Sequence, residues 1–267
     1  MNANPGEMIN DSILLREDED SITTLTLNRP KQYNALSRAL LTELQNALDD
    51  IAADDAIRVV IIAANGKAFC PGHDLKEMRS SEDKAFHQAI FDQSGKVMLT
   101  INAMPQPVIA QVNGIATAAG CQLVANCDLA VASKEARFAV SGINLGLFCS
   151  TPAVPLSRNM TRKQAMQMLL TGDFISASKA QAFGLVNEVV EVADLEQTTR
   201  DLAHKIAAKS SHAIRLGKDM FYRQLPMDLS EAYAFAGEKM ACNMGSEDAR
   251  EGFDAFIEKR KPEWKGR

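Results

Sequence analysis

This chain of 267 residues has no long apolar run, no excess of basic charge, and none of the spacings that build metal sites or disulfide frameworks. No stretch reaches eighteen uninterrupted apolar residues, so no membrane-spanning helix is expected. A formal net charge of -5 argues against the basic face of a nucleic-acid binder. Only four histidines occur, His73, His87, His204 and His212, and none stands at a metal-ligand spacing from another, so no metal is expected. The five cysteines (Cys70, Cys121, Cys127, Cys149 and Cys242) are odd in number and lack a CxxC pair, and they read as buried, reduced thiols. The first twelve residues hold no Lys or Arg and no apolar run. Neither a signal nor a transit peptide is visible there, and a cytoplasmic protein is the expectation.

What the chain does have is an ordinary globular composition, 46% hydrophobic and 24% charged. Short β-branched or apolar runs at 22–27, 58–64, 107–112 and 129–132 have the length of buried strands, and a fifth lies at 186–190. Asn65-Gly66 and Asn113-Gly114 are turn signals. Between the runs, Leu40, Leu41, Leu44, Leu48 and Ile51 repeat at helical spacing behind Ser37, a plausible N-cap. Ser80 with Asp83 reads as the capped start of a second helix carrying Phe86, Ile90, Val97 and Met98. Helical pattern dominates after Thr161, with segments near 194–209, 213–223 and 230–243 and a last one ending near Lys259. The expectation is an α/β core over residues 1–190 and a helical C-terminal extension over 191–267, packed on that core or on a neighbour.

Two glycine-containing loops carry the chemistry. The first runs from Gly66 to Met78, where Pro71-Gly72 turns the chain directly after a strand. The second runs from Val112 to Leu123, where small residues precede a helix start. A helix N-terminus offers free N–H groups and a positive dipole end, which suit a developing oxyanion. A tight strand-to-helix connection needs small residues as well, so neither loop alone names a function.

Taken together, five ordered segments resemble the enoyl-CoA hydratase/isomerase (crotonase) superfamily. They are Leu27-Asn28-Arg29-Pro30-Lys31 with Asn34-Ala35-Leu36, FCPGHDLKEM at 69–78, VNGIATAAGCQLVANCDLAVA at 112–132, LTGDFISASKAQAFGLVNEVV at 170–190, and AFIEKRKPEW at 255–264. The resemblance implies a crotonase-like fold, a spiral core of ββα units with the C-terminal helices used for trimerisation. It also implies a homotrimer or dimer of trimers, and coenzyme A as part of the substrate with no separate cofactor. By the same resemblance the two oxyanion amides fall on His73 and on Ala119, beside Gly120. Lys31, Ala35, Asp74, Leu75 and Lys76 fall where the family contacts CoA, and Phe256 and Lys259 where its last helix closes over CoA. Lysines on exposed faces need no ligand, so Lys31, Lys76 and Lys259 also read as solvated surface residues.

The pattern breaks where the family's hydratases carry two glutamates. In this register those positions are Gln122 and Gly142, and neither an amide nor a glycine exchanges protons near neutral pH. The segment from Gly142 to Pro152 resembles the subgroup called enoyl-CoA hydratase domain-containing protein 3. Cys149, Ser150 and Thr151 in that segment are candidates to face the acyl group, with a helix N-cap at Ser150 or Thr151 over a buried Cys149 as the plainer reading. An acyl-CoA enzyme with a changed base, a thioester hydrolase using Ser150 or Cys149, and a non-catalytic acyl-CoA binder all remain open. Restoring Glu at both 122 and 142 is expected to raise crotonyl-CoA hydration at least ~10²-fold.

Overall fold

The computed structural model describes residues 12–267. The leader-free reading of the first twelve residues therefore falls, apart from Ser12, outside the described residues. In chain order the elements begin with β1 (Leu14–Glu19), β2 (Ile22–Leu27), α1 (Arg38–Ala52), β3 (Val59–Ala64), β4 (Ala68–Cys70), α2 (Leu75–Met78) and α3 (Lys84–Ala103). Next come β5 (Val108–Val112), β6 (Ile115–Thr117), α4 (Ala119–Asn126), β7 (Leu129–Ser133), β8 (Arg137–Ala139), α5 (Ser150–Asn159) and α6 (Arg162–Thr171). The chain ends with β9 (Ile175–Ser176), α7 (Ala177–Ala182), β10 (Glu188–Val190), α8 (Leu195–Ala207), α9 (Ser211–Gln224), α10 (Leu229–Met244) and α11 (Glu247–Glu258).

A six-stranded sheet runs β1-β2-β3-β5-β7-β10, parallel except for the β1–β2 hairpin. That hairpin turns through Asp20 and Ser21, both at positive φ, which matches the right-handed twist of its strands. Side chains alternate between the faces, so Val60 and Ile62 of β3 enter the main core while Val59, Ile61 and Ala63 face the other way. The second face is covered by Leu195 and Ala203 of α8. A smaller sheet, β4-β6-β8-β9, stands beyond the carboxyl ends of β3, β5 and β7, each of its first three strands following closely on one of those. Strands of two or three residues carry no readable period, so this second layer has no signature in the sequence.

Local signals held where the chain could satisfy them alone. Ser37 caps α1 by accepting from Leu40 N–H, and the expected strands match β2, β3, β5, β7 and β10 within two residues. The second helix starts later than expected, because Asp83 rather than Ser80 caps α3 by accepting from Ala85 N–H.

The C-terminal helices reach the core through a buried ion pair. Lys218 of α9 donates to Asp128 at 2.6 Å and to the carbonyls of Ile101 and Gln106 at 2.8 Å. Asp128 also accepts from Tyr222 Oη at 2.8 Å and from Val108 N–H at 2.7 Å. Burial pulls the Lys218 ammonium below its ordinary pKa, and Asp128 opposes that shift. Breaking one half of such a pair leaves a buried unpaired charge, so Lys218→Met is expected to lose about 3–5 kcal/mol in urea denaturation. A loss below ~1 kcal/mol, the range of an exposed pair, would contradict this anchoring role.

Candidate active site

The site forms where the end of β4 meets the start of α4. After Cys70, Pro71 and Gly72 turn the chain back alongside Leu36. Leu36 N–H donates to Gly72 O at 2.8 Å, and Asp74 N–H donates to Leu36 O at 3.2 Å. His73 between them has no acceptor for its own N–H among the described residues. On the other side Thr117 Oγ1 donates to Pro71 O at 2.8 Å. Ala118 then adopts φ 48° and ψ -119°, a conformation that costs a non-glycine residue of order 1–3 kcal/mol. Helix α4 begins at once with Ala119, whose N–H as the first helical residue is likewise without an acceptor among the described residues.

Glycines let these loops touch. A Cβ on Gly120 would stand 2.0 Å from Cys70 O, so Gly120 serves the contact of α4 with β4. Gly72 lies at φ +106°, and a Cβ there would stand 3.2 Å from Ala119 N. A third clasp holds the approach, where Arg29 pairs with Asp74 at 3.1 Å and buried Asn34 donates to Asn65 O and Ala68 O. Burial would raise the Asp74 carboxyl, but Arg29 and the amides of Glu77 and Lys76 hold it below its usual pKa. Asp74 is thus committed to Arg29 and to capping α2.

A cavity of about 600 Å³ opens against the two free amides. Of the expected site residues, His73, Ala119, Gly142, Ser150, Ala35 and Leu75 line it. Gln122 does not; it is 4% exposed, and its Oε1 has no hydrogen-bond partner among the described residues. Lys31 and Lys76 are exposed, while Phe256, 83% exposed on α11, and Lys259 are not among the residues lining the cavity. Sequence reasoning missed Met78, Phe91, Leu145, Leu147 and Phe148, all on the wall. The apolar side chains flanking Gly146 were the available signal for the last three. Among the described residues, no Asp, Glu, Lys or Arg lines the cavity.

His73 is the one imidazole on the wall, set edge-on to Phe91 at 5.6 Å. Both its ring nitrogens are buried with no well-formed hydrogen bond among the described residues, and burial pushes its pKa below the ordinary value against a weak opposing contact with the Leu36 backbone. Cys149, buried as expected, takes the N-cap position of α5 itself, so neither Ser150 nor Thr151 is the cap. Its Sγ accepts from Gly142 N–H at 3.3 Å, yet burial still raises its pKa, leaving a thiol rather than a thiolate. Ser150 Oγ donates only to Phe148 O. Among the described residues neither side chain is hydrogen-bonded to an imidazole or a carboxylate.

The sequence signature of the enoyl-CoA hydratase/isomerase family matches residues 17–267. The chain belongs to the enoyl-CoA hydratase/isomerase family. It is similar to the human enoyl-CoA hydratase domain-containing protein 3, mitochondrial, with 47% identity over 92% of this chain and 81% of that protein. A crystal structure of the human protein superposes with a TM-score of 0.92, covering 95% of this chain and all of the other at 46% identity. A crystal structure of an enoyl-CoA hydratase from Mycobacterium smegmatis superposes with a TM-score of 0.94, at 55% identity over 95% of this chain and 99% of the other. The architecture is therefore the crotonase fold with its C-terminal helical region. The cytoplasmic expectation is overturned, because the human, rat and mouse relatives all carry mitochondria in their names.

The expected rescue by glutamates meets a steric obstacle at Gly142. Gly142 is not at positive φ, but a Cβ there would stand 2.7 Å from both Cys149 Sγ and Leu147 O. Gly142→Glu is therefore expected to overpack the loop. Gly142→Ala is expected to lose about 1–3 kcal/mol in chemical denaturation, with Cys149→Gly in the same chain recovering only part. The His73 imidazole is expected to titrate below 6.5 when followed by NMR and to stay neutral at pH 7. Its folded pKa lies below its unfolded one, so its contribution to stability is complete above pH ~6.5 and falls on acidification.

Proposed function

We propose that the protein processes acyl-CoA thioesters, polarising the thioester carbonyl between the main-chain N–H groups of His73 and Ala119. The observation that carries this reading is the pair of amides without internal acceptors on residues lining an uncharged cavity. Donors already in place at a water-poor wall stabilise an enolate oxygen without reorganising, and one such donor is typically worth about 10²–10³ in rate. Ala118 and the two glycine contacts supply that fixity, and the positive end of α4 adds to it.

Ala35 and Leu75 then border the pantetheine arm, with Lys31 and Lys76 placed to meet phosphates. Phe256 and Lys259 reach CoA from a neighbouring subunit in a trimer or dimer of trimers, a role their exposure on α11 allows. Hydration is not the favoured chemistry, since Gln122 and Gly142 stand in the glutamate positions and no carboxylate of the described residues lines the cavity. Thioester hydrolysis is disfavoured too, because among the described residues neither Ser150 nor Cys149 is hydrogen-bonded to a base. The same uncharged wall favours one second reading, a protein that binds acyl-CoA without turning it over.

Acetoacetyl-CoA is expected to bind with micromolar affinity by calorimetry and to gain enolate absorbance, while crotonyl-CoA is hydrated slowly or not at all. Absence of heat at millimolar ligand would sink the reading, and enolate absorbance without turnover of any acyl-CoA would select the binder. Light scattering on the same sample should give three or six times the 29.1 kDa chain.

A further inference from the structure

A second cleft, of about 220 Å³, lies at the other end of the main sheet. Its floor is Ile57, Arg58, Pro105 and Gln106, just before β3 and β5, whereas His73 and Ala119 lie beyond the carboxyl ends of those strands. The first turn of α9 forms one wall, and Trp264, Lys265 and Gly266 form the other. It shares no lining residue with the acyl-CoA cavity. We infer that this cleft binds a phosphate group, either free or as the ester of a small apolar molecule.

Guanidiniums, an ammonium and free helix donors converge there. The half-buried Arg58 guanidinium donates only to a main-chain oxygen, that of Lys209. Arg215 donates to Gly266 O at 3.3 Å and pairs at 3.2 Å with Asp55, whose side chain is 95% exposed. An ion pair so exposed contributes little. Burial lowers the Arg58 pKa, and Arg215 adds to that shift while Asp248 opposes it. Asp248 itself is 2% exposed, and its oxygens already accept from Ser210 Oγ and the amides of Lys265 and Gly266. Lys265 brings a further cation, with its partner Glu263 as far as 4.0 Å away.

The start of α9 adds neutral donors. The main-chain N–H groups of Ser211 and His212 have no acceptor among the described residues. Gly266, at φ +76°, leaves the Ser211 hydroxyl uncovered, since a Cβ there would stand 2.8 Å from its Oγ. Helix α9 runs for 14 residues, so its positive end reinforces these groups. Two guanidinium forks, a hydroxyl and a helix N-terminus match the oxygens of a phosphate. Ile57, Pro105, Ile214 and the Trp264 ring offer apolar surface to the body of an ester.

Trp264 is the single tryptophan of the chain, so its fluorescence reports on this cleft and not on the acyl-CoA cavity. The test titrates inorganic phosphate and phenyl phosphate into the full chain by fluorescence and calorimetry, with ionic strength held constant by sodium chloride. A saturable change in Trp264 emission is expected, with Kd below about 1 mM for at least one probe. Arg58→Gln and Arg215→Gln should each weaken it about tenfold or more, as loss of a hydrogen bond to a charged group does. Thermal melting verifies folding, and Arg215→Gln, whose carboxylate partner is exposed, keeps the test valid if Arg58→Gln unfolds. Tighter binding of phenyl phosphate assigns an ester as the ligand, and equal or tighter binding of inorganic phosphate assigns the free ion. Absence of saturation at millimolar concentrations of both probes overturns the inference. A response reproduced by chloride alone, or unchanged in the folded Arg215→Gln variant, overturns it as well.

Discussion

Main chain packed directly on main chain is the constraint from which the site follows. Gly120 at the start of α4 lies so close to the Cys70 carbonyl that even a methyl group is excluded, and Gly72, at φ +106°, packs tightly against Ala118 and Ala119. Such contact brings the end of one strand beside the beginning of a helix, where backbone donors lack partners by geometry alone. The sharp backbone of Ala118 is held by that packing, its N–H bonded to Ala139 O at 3.0 Å. The main-chain N–H groups of His73 and Ala119 have no acceptor among the described residues, and that placement comes from the backbone whatever side chains the two residues carry.

Around those amides the cavity wall is apolar and uncharged, and its titratable groups lie on the neutral side of their equilibria. Burial holds the His73 imidazole unprotonated and the Cys149 thiol protonated. A field from two oriented amides is screened little in such surroundings, so polarisation of a carbonyl gains strength while proton exchange loses its usual agents.

Elements set by neighbouring residues are legible in the chain itself. The leucine spacing of α1, its Ser37 cap and the five β-branched strands depend on contacts or rotamer preferences within a few residues, and they appear where the periodicity places them. The glycine loops are legible as a pair because their residues recur in the family's order. Asp83 displaces Ser80 as a cap since both carry suitable side chains, and only the path of the chain after α2 chooses between them. Asp128, Lys218 and Tyr222 are unreadable for a different reason. They stand about ninety residues apart, and nothing local to either partner announces the other.

The sequence by itself determined the family, the α/β order of the main sheet, the two glycine loops that end at His73 and Ala119, and the identities of Gln122 and Gly142, since each is written in residue type and order. Tertiary structure alone decided that Gln122 lies off the cavity wall, that Gly142 has no room for a side chain, and that Cys149, Leu145, Leu147 and Phe148 enclose the space beside it. Those are statements about volume shared between segments distant along the chain. A sequence records which side chains exist, and only packing shows which of them compete for the same space.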